Sequence, residues 1–319
     1  MLSIARNACL DGVKKPLDQN LLKGVSRSFY LTLRLLPIQM RGAASLGYLL
    51  ARTSDTLADT VAIPAETRMQ CLENFDRALG SNHEIPRWSL AVLNAVGNSS
   101  ERILLESVGE LFEWLDDMKD DEADLVREVV KIIISGQRLD IERFDGATHE
   151  YPVALLNADA LDDYTWRVAG CVGAFWTKLG YLTMGEKFSK APMRKMFGMG
   201  VAYGKGLQLV NILRDLPVDL AIGRCYLPVS NPGDPHSVMA AHDQWLARAS
   251  EWVGAGYSYS HNLQSRRLRT ATVLPAMIAK ETLARLHGIS WEKLQVRVKI
   301  PRSRVYAALA NALLGRYGR

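Results

Sequence analysis

The chain has 319 residues, of which 48% are hydrophobic and 23% are charged, a balance typical of a soluble globular protein with a large buried core. Its net charge of +5 comes from Lys and Arg dispersed along the sequence, so we do not expect a nucleic-acid-binding protein, which needs a basic run or stripe. No stretch reaches about 18 uninterrupted apolar residues, and we therefore expect no transmembrane helix. The cysteines are widely spaced, have no CxxC motif and predict reduced thiols in a cytoplasmic protein; they are Cys9, Cys71, Cys171 and Cys225.

Helical periodicity runs through the sequence, and no segment shows convincing strand alternation. We predict helices at about 18–35, 38–60, 64–79, 87–95, 99–116, 122–144, 153–182, 192–218, 237–258, 262–287 and 301–316. Turn-forming residues separate them at 80–86, 146–152 and 228–235, and none of these connections is long enough to be an interdomain linker. The sequence therefore predicts one all-α domain over residues 1–319.

The predicted helix 38–60 carries a polar stripe on an otherwise apolar surface. Tyr48, Arg52, Asp55 and Asp59 fall on one face, within about 60° of the helix circumference. A helix that is apolar on its other sides should be buried, so this stripe should face an internal cavity.

The predicted helix 192–218 leads into a second stripe of the same kind, made of Gly204, Gln208, Asn211, Asp215 and Asp219. Two carboxylates spaced i, i+4 repel each other by roughly 0.2–0.5 kcal/mol on an exposed helix, and by more when buried, unless a cation bridges their oxygens. Two such pairs facing one cavity predict a site for Mg²⁺, with Mn²⁺ as an alternative, and for the phosphate oxygens that the metal carries.

The segment 116–124 contains the same Asp spacing but has mixed charge throughout, and we interpret it as a solvated helix junction. The glycines from Gly198 to Gly204 have the spacing G-x-G-x-x-x-G with no strand before them, which favours close helix packing over a dinucleotide-binding loop.

Several motifs, in order over roughly residues 20–230, resemble the squalene/phytoene synthase family. They are Ser26-Arg27-Ser28-Phe29-Tyr30 with Leu36-Pro37; Tyr48-x-x-x-Arg52-x-x-Asp55-x-x-x-Asp59; Tyr164-x-x-x-Val168-Ala169-Gly170-x-Val172-Gly173; Gln208-x-x-Asn211-Ile212-Leu213-Arg214-Asp215-x-x-x-Asp219; and Gly223-Arg224-Cys225-Tyr226-Leu227-Pro228. The resemblance implies an all-α isoprenoid-synthase fold around a central apolar cavity. It also implies that two prenyl diphosphates are condensed there.

The resemblance assigns a role to each motif residue. The residues that would bind the metal are Asp55, Asp59, Asp215 and Asp219. The residues that would help to neutralise the charge of the departing diphosphate are Arg52, Arg214 and Arg224. Ser26 and Ser28 would donate hydrogen bonds to the same phosphates. Gln208 and Asn211 would orient the metal ligands or the second diphosphate. The aromatic wall would comprise Phe29, Tyr48, Tyr164 and Phe175, with Tyr48 and Tyr164 also able to relay a proton. Three alternatives stay open. Phe29 and Phe175 could be ordinary core residues. Arg214 lies about 100° from Asp215 on an ideal helix and could be its structural ion-pair partner, and Tyr226 either binds substrate or anchors its loop.

The chain departs from the family pattern at four positions. Ala58 and Val218 stand where the family usually has a further acidic residue, and Gln137 stands in a helix where an apolar wall residue is expected. Pro217 lacks the backbone N–H of a helical residue, so we expect the helix to end or kink there.

The residue after Asp55 is Thr56, which is similar to the version of the motif in family members that make squalene. The resemblance therefore implies that two farnesyl diphosphates join 1'-1 through presqualene diphosphate, and that NADPH supplies a hydride to complete squalene. No nucleotide-binding motif is visible. The alternatives are a non-reductive product of the phytoene or dehydrosqualene type, or a reaction that stops at presqualene diphosphate.

The segment 301–316 predicts a basic amphipathic helix that either docks on the protein's own core or lies on the inner face of a membrane. A non-catalytic protein that binds acidic membranes through this helix is the alternative from another functional class. It gives no reason for two buried acidic stripes.

Overall fold

The computed structural model describes residues 21–22, 24–25, 29–80 and 84–317, and for 29–31 it describes the backbone only. The helices are α1 (Phe29–Leu35), α2 (Ile38–Asp59), α3 (Ala65–Ala78), α4 (Leu90–Ala95), α5 (Ser99–Glu106), α6 (Val108–Asp116), α7 (Asp120–Arg143), α8 (Ala158–Thr165), α9 (Cys171–Met184), α10 (Met193–Ala221), α11 (Pro235–Asn262), α12 (Arg266–Leu286), α13 (Trp291–Gln295) and α14 (Arg302–Leu313). A π-helical turn, Trp166–Gly170, joins α8 to α9, and a 3₁₀ turn, Gly185–Lys187, follows α9. Two short strands, β1 (Val153–Ala154) and β2 (Arg224–Cys225), form one parallel pair.

The prediction of an all-α fold is confirmed, and the differences are local. The predicted helix 99–116 is broken at Ser107, whose ψ of 7° departs from helical geometry. The predicted helix 153–182 begins instead with β1, because Val153 N–H donates to the carbonyl of Gly223 at 2.8 Å. Helical periodicity could not reveal this pairing, since the partner lies about seventy residues later.

Of the two expectations for Pro217, an end or a kink of the helix, the end is wrong, because α10 continues through Pro217 to Ala221. Leu213, Leu216 and Leu220 around the proline are buried in one core cluster. Burial of such side chains is worth roughly 1.5–3 kcal/mol each, which is enough to offset the missing backbone hydrogen bond. Asp219 therefore stays on the same helix as Asp215.

Helix α10 packs against α9, α11 and α12, while α2 packs against α7 and α9. At the α9–α10 crossing the two backbones touch: a Cβ on Gly173 would lie 1.9 Å from the carbonyl oxygen of Gly200. A Cβ on Gly204 would lie 2.3 Å from the carbonyl oxygen of Ala169. These contacts confirm close packing as the role of Gly200 and Gly204.

The C-terminal helix α14 docks on α12, where Thr270 Oγ1 donates to the carbonyl of Ala312 at 3.3 Å. No helix within the described residues is both long and apolar enough to cross a bilayer. Cys71, Cys171 and Cys225 are free thiols, as predicted. Cys9 lies outside the described residues.

Candidate active site

The structure brings the two aspartate pairs to neighbouring cavities. A cavity of about 240 Å³ is lined by Asp55 and Asp59 from the C-terminal end of α2. A second cavity, of about 350 Å³, is lined by Asp59 together with Asp215 and Asp219 from α10. Both cavities share the same wall residues, which are Asp59, Tyr164, Gln208, Arg224 and Tyr226. The two polar stripes thus meet across a common acidic space, which we call the acidic cavity.

In the first aspartate pair, Asp55 has one partner on another helix and one on α2 itself. Asp55 accepts a hydrogen bond from Nε2 of Gln137 on α7 at 2.5 Å, and Nη1 of Arg52 lies 3.9 Å from its other oxygen. Two main effects raise the pKa of Asp55 to about 7: the larger is desolvation by burial, and the smaller is repulsion by the negative charge of Asp59. Desolvation also raises the pKa of Asp59, against the opposing charge of Arg224. Both carboxylates therefore lie where an added positive charge would be stabilising.

The second pair is asymmetric. Arg214 donates to both oxygens of Asp215, through Nε at 2.9 Å and through Nη2, so the structure shows the ion pair that was left open as an alternative for Arg214. Desolvation and the charge of Asp215 raise the pKa of Asp219 to about 7, against Arg224. Asp219 is thus the carboxylate of this pair that is available to a cation in the cavity.

A fifth carboxylate, Asp140 on α7, lines the same cavity as Asp55 and Asp59. It is only 9% exposed and accepts hydrogen bonds from Nη1 of Arg224 at 3.1 Å and from the hydroxyl of Tyr226 at 2.8 Å. Burial raises its pKa to about 6. Tyr226 is also stacked on Tyr164, with 4.6 Å between ring centroids, so Asp140 fixes both Arg224 and the aromatic wall.

Sequence reasoning did not find Asp140. Its partners lie 84 and 86 residues away in the chain, so no local spacing indicates them. The available signal was an acidic residue one helical turn after Gln137 on the same face.

An apolar cavity of about 190 Å³ adjoins the acidic one, because Val168 lines both. Its other described lining residues are mostly apolar or small and come chiefly from α9, α10 and α12; they include Val172, Gly173, Trp176, Tyr203, Leu207 and Pro275. Val168 lies in the π-helical turn Trp166–Gly170, a distortion that is frequent at functional sites. The arrangement places a site for an anionic group beside a site for a hydrocarbon chain.

The remaining predicted residues lie elsewhere or are not described. The hydroxyl of Tyr48 donates to the carbonyl of Val25 at 3.3 Å, and Arg52 forms an ion pair with Glu101. Neither Tyr48 nor Arg52 is among the described residues that line the two parts of the acidic cavity. Phe175 is buried in the core, 3.5 Å from the position that a Cβ on Gly47 would occupy.

Three further predicted residues fall in or beside the undescribed segment. Ser26 and Ser28 lie outside the described residues, and Phe29 begins α1 with its side chain undescribed. Asn211 lines the cavity that contains Asp215 and Asp219, and Gln208 lines both cavities.

The residues present fit a hard divalent cation. The donors are carboxylate oxygens, which such ions prefer, and two buried acceptor atoms, Oδ1 of Asp140 and Oε1 of Gln137, have no hydrogen-bond partner among the described residues. Within the described part of the chain, no three His, Cys, Asp or Glu residues form a ready-made metal centre. A cation here would therefore take part of its coordination from a bound ligand or water.

A helical bundle in which two aspartate-bearing helices face an acidic cavity beside an apolar one belongs to the all-α isoprenoid-synthase class. The structure of TcSQS with the ligand BPH1237 shows the same fold, with a TM-score of 0.76 and 21% identity over 93% of this chain and 85% of that one.

The chain belongs to the squalene/phytoene synthase family, whose model matches residues 22–304. It is 27% identical to a presqualene diphosphate synthase of Zymomonas mobilis, over 86% of this chain and 84% of that protein. It is also 27% identical to a squalene synthase of Eremothecium gossypii, over 88% of this chain but only 64% of that protein. Among other curated relatives that it matches, the chain spans as little as 33% of their length.

The resemblance to this family, inferred from the motifs, is thus confirmed. Members of the family are prenyltransferase-type enzymes of isoprenoid biosynthesis that use prenyl diphosphate substrates.

Proposed function

We propose that this chain joins two farnesyl diphosphates 1'-1, through presqualene diphosphate, to squalene, in a reaction that depends on Mg²⁺ or Mn²⁺ and uses NADPH. The observation that carries the proposal is the shared acidic cavity: Asp55 and Asp59 from α2 and Asp219 from α10 line one continuous set of walls. Val168 connects that cavity to the apolar one.

The aspartates of α2 and α10 would hold the divalent cation. When bound, the cation would act as a Lewis acid that stabilises the departing pyrophosphate. Arg224, fixed by Asp140, lines the same cavity and would bind phosphate oxygens through charge-assisted hydrogen bonds. Gln208 and Asn211 would orient the second diphosphate.

The first substrate loses pyrophosphate and leaves an allylic cation, which the double bond of the second substrate attacks. Loss of one proton then closes the cyclopropane ring of presqualene diphosphate. Tyr164 lines the acidic cavity, and burial raises the pKa of its hydroxyl well above the usual value. The hydroxyl therefore stays protonated near neutral pH, and its Oη would relay this proton only by passing its own proton onward at the same time.

Presqualene diphosphate would then lose its own diphosphate group as a second pyrophosphate and rearrange, and NADPH would supply the hydride that quenches the resulting cation to squalene. This part of the proposal rests on the resemblance of the motif Asp55-Thr56-Leu57-Ala58-Asp59. A second candidate, a reaction that stops at presqualene diphosphate, is favoured by the similarity to the Zymomonas enzyme of that name along most of both chains. A non-reductive dehydrosqualene- or phytoene-type product is the third possible outcome.

Product analysis separates these reactions. Purified protein with Mg²⁺ and C10, C15 or C20 prenyl diphosphates should release pyrophosphate fastest with the C15 substrate. Extracted products should change from presqualene diphosphate to squalene when NADPH is added. An identical product with and without NADPH would remove the reductive step, and no pyrophosphate from any substrate would remove the proposal.

We also propose peripheral contact of this protein with an anionic membrane through α14. That helix buries Ala312 against the protein but leaves Tyr306 65% and Leu313 51% exposed. Arg302 and Arg304 at its start are also exposed. An apolar stripe with basic neighbours suits the surface of an anionic bilayer.

A further inference from the structure

Gln137 connects two helices of the acidic cavity. Its side chain on α7 is only 7% exposed, and its Nε2 donates to Oδ1 of Asp55 on α2, 82 residues away, at 2.5 Å. This hydrogen bond fixes the carboxylate of Asp55 within the cavity that both residues line. Asp55 has no comparably short contact with Arg52, whose Nη1 is 3.9 Å away.

The other end of the amide is unused. Oε1 of Gln137 is buried and has no partner among the described residues, and an unpaired buried polar atom costs about 1–3 kcal/mol. Such atoms are rare in native proteins and are usually explained by an absent water or ion. Gln137 lines the acidic cavity, so a hydrogen-bond donor that binds there with substrate would satisfy this acceptor.

The α2 motif has few carboxylates, which makes the orientation of Asp55 by the Gln137 amide more important for cation binding. Ala58 lines the same cavity, so the α2 motif contributes two carboxylates, Asp55 and Asp59, and no third one. With fewer ligands, the orientation of each carboxylate has a larger effect on how tightly a cation is held.

We infer that Gln137 is a positioning residue for the cation–diphosphate complex. Its N–H holds Asp55 in the orientation that binds the cation, and its carbonyl oxygen accepts a hydrogen bond from a water molecule carried by that cation. Mg²⁺ usually keeps several of its waters, which are strong donors. This inference rests on the proposed function and adds to it a residue on α7 that is outside both aspartate motifs.

The test is the affinity for Mn²⁺ in the presence of inorganic pyrophosphate, measured by isothermal titration calorimetry on the full chain. Gln137→Met keeps the side-chain length but removes both hydrogen bonds, and should weaken Mn²⁺ binding about 10–100-fold, as expected for loss of a partner that orients a metal ligand. Gln264→Met is the matched control, because Gln264 also loses amide hydrogen bonds, to the carbonyls of Glu186 and Ser189, but is not among the residues lining the acidic cavity. Its affinity should equal that of the wild type.

Two further measurements separate positioning from a structural role. Without metal, Gln137→Met should melt close to the wild-type temperature, because removing the unpaired buried Oε1 offsets the lost hydrogen bond from Nε2 to Asp55. Its loss of prenyl turnover should be relieved by raising the Mg²⁺ concentration, which a folding defect would not show. If Gln137→Met does not fold, Gln137→Asn, whose amide is too short to reach Asp55, should show the same loss of affinity.

Unchanged Mn²⁺ affinity in Gln137→Met or Gln137→Asn, with wild-type binding intact, would overturn the inference and leave the proposed function standing. Wild-type protein that binds no Mn²⁺ with pyrophosphate would instead overturn the metal-assisted function itself, and the inference with it.

Discussion

The backbone contact between α9 and α10 gives a quantitative prediction for Gly173→Ala. The added Cβ would lie 1.9 Å from the carbonyl oxygen of Gly200, whereas real Cβ contacts are essentially never below 3.0 Å. The helices would therefore have to move apart by about 1.1 Å, the difference between those two distances. Overpacking of this kind typically costs 1–3 kcal/mol and occasionally more, and both partners are rigid backbone. We expect a loss of about 3 kcal/mol or more.

Thermal unfolding followed by circular dichroism measures this loss, with Gly198→Ala as the matched control. Gly198 lies in the same helix as Gly200, but a Cβ added to it would meet nothing within 4 Å. That substitution should stabilise the protein by about 0.5–1 kcal/mol, because Ala loses less backbone entropy than Gly in a helix. Since Gly173 and Gly200 both line the apolar cavity, Gly173→Ala should also lower prenyl turnover. Equal melting temperatures for Gly173→Ala and Gly198→Ala would refute the close crossing.

Three other results are expected. Asp55→Asn and Asp219→Asn should each lower the rate of pyrophosphate release by roughly 100-fold or more, since metal-based charge stabilisation is worth several kcal/mol. Circular dichroism should show unchanged helix content. Full activity in both variants would rule out metal binding by these aspartates. Metal-free protein should lose stability as pH rises from about 4 to 7. On folding, the pKa values of Asp55 and Asp219 are raised from the ordinary 3.8 to about 7, so the folded state binds more protons in that window. The Asp55→Asn/Asp219→Asn double variant should show a flatter dependence of melting temperature on pH, and an unchanged slope would refute these raised pKa values. Sedimentation with vesicles of phosphatidylcholine containing phosphatidylglycerol should capture the wild type at low salt, but not a Tyr306→Ser/Leu313→Ser variant; equal capture would remove α14 as the contact.

The aspartate stripes could be predicted from the sequence because helical register is a local property. Once α2 and α10 form, an i, i+4 spacing places Asp55 with Asp59 and Asp215 with Asp219 whatever the rest of the chain does. The apolar residues on the other sides of each helix require burial, so the polar stripes were expected to face an internal cavity.

The partners of those stripes could not be predicted, because they depend on contacts between distant segments. Arg52 forms an ion pair with Glu101 on α5, a contact that no local spacing indicates. Asp140 forms an ion pair with Arg224, which lies in β2 and pairs with Val153 of β1, so the contact depends on segments far apart in the chain. The predicted end of the helix at Pro217 was wrong because it considered only the backbone propensity of proline, and not the core packing of the residues around it.

The most direct test of the proposed metal-assisted condensation is a crystal structure of this protein with Mg²⁺ and a farnesyl diphosphate analogue that cannot ionise. We expect metal ions between the carboxylates of α2 and α10, the diphosphate beside Arg224, and the hydrocarbon chain running past Val168 into the apolar cavity. A diphosphate bound elsewhere, with Asp55 and Asp219 free of metal, would contradict it.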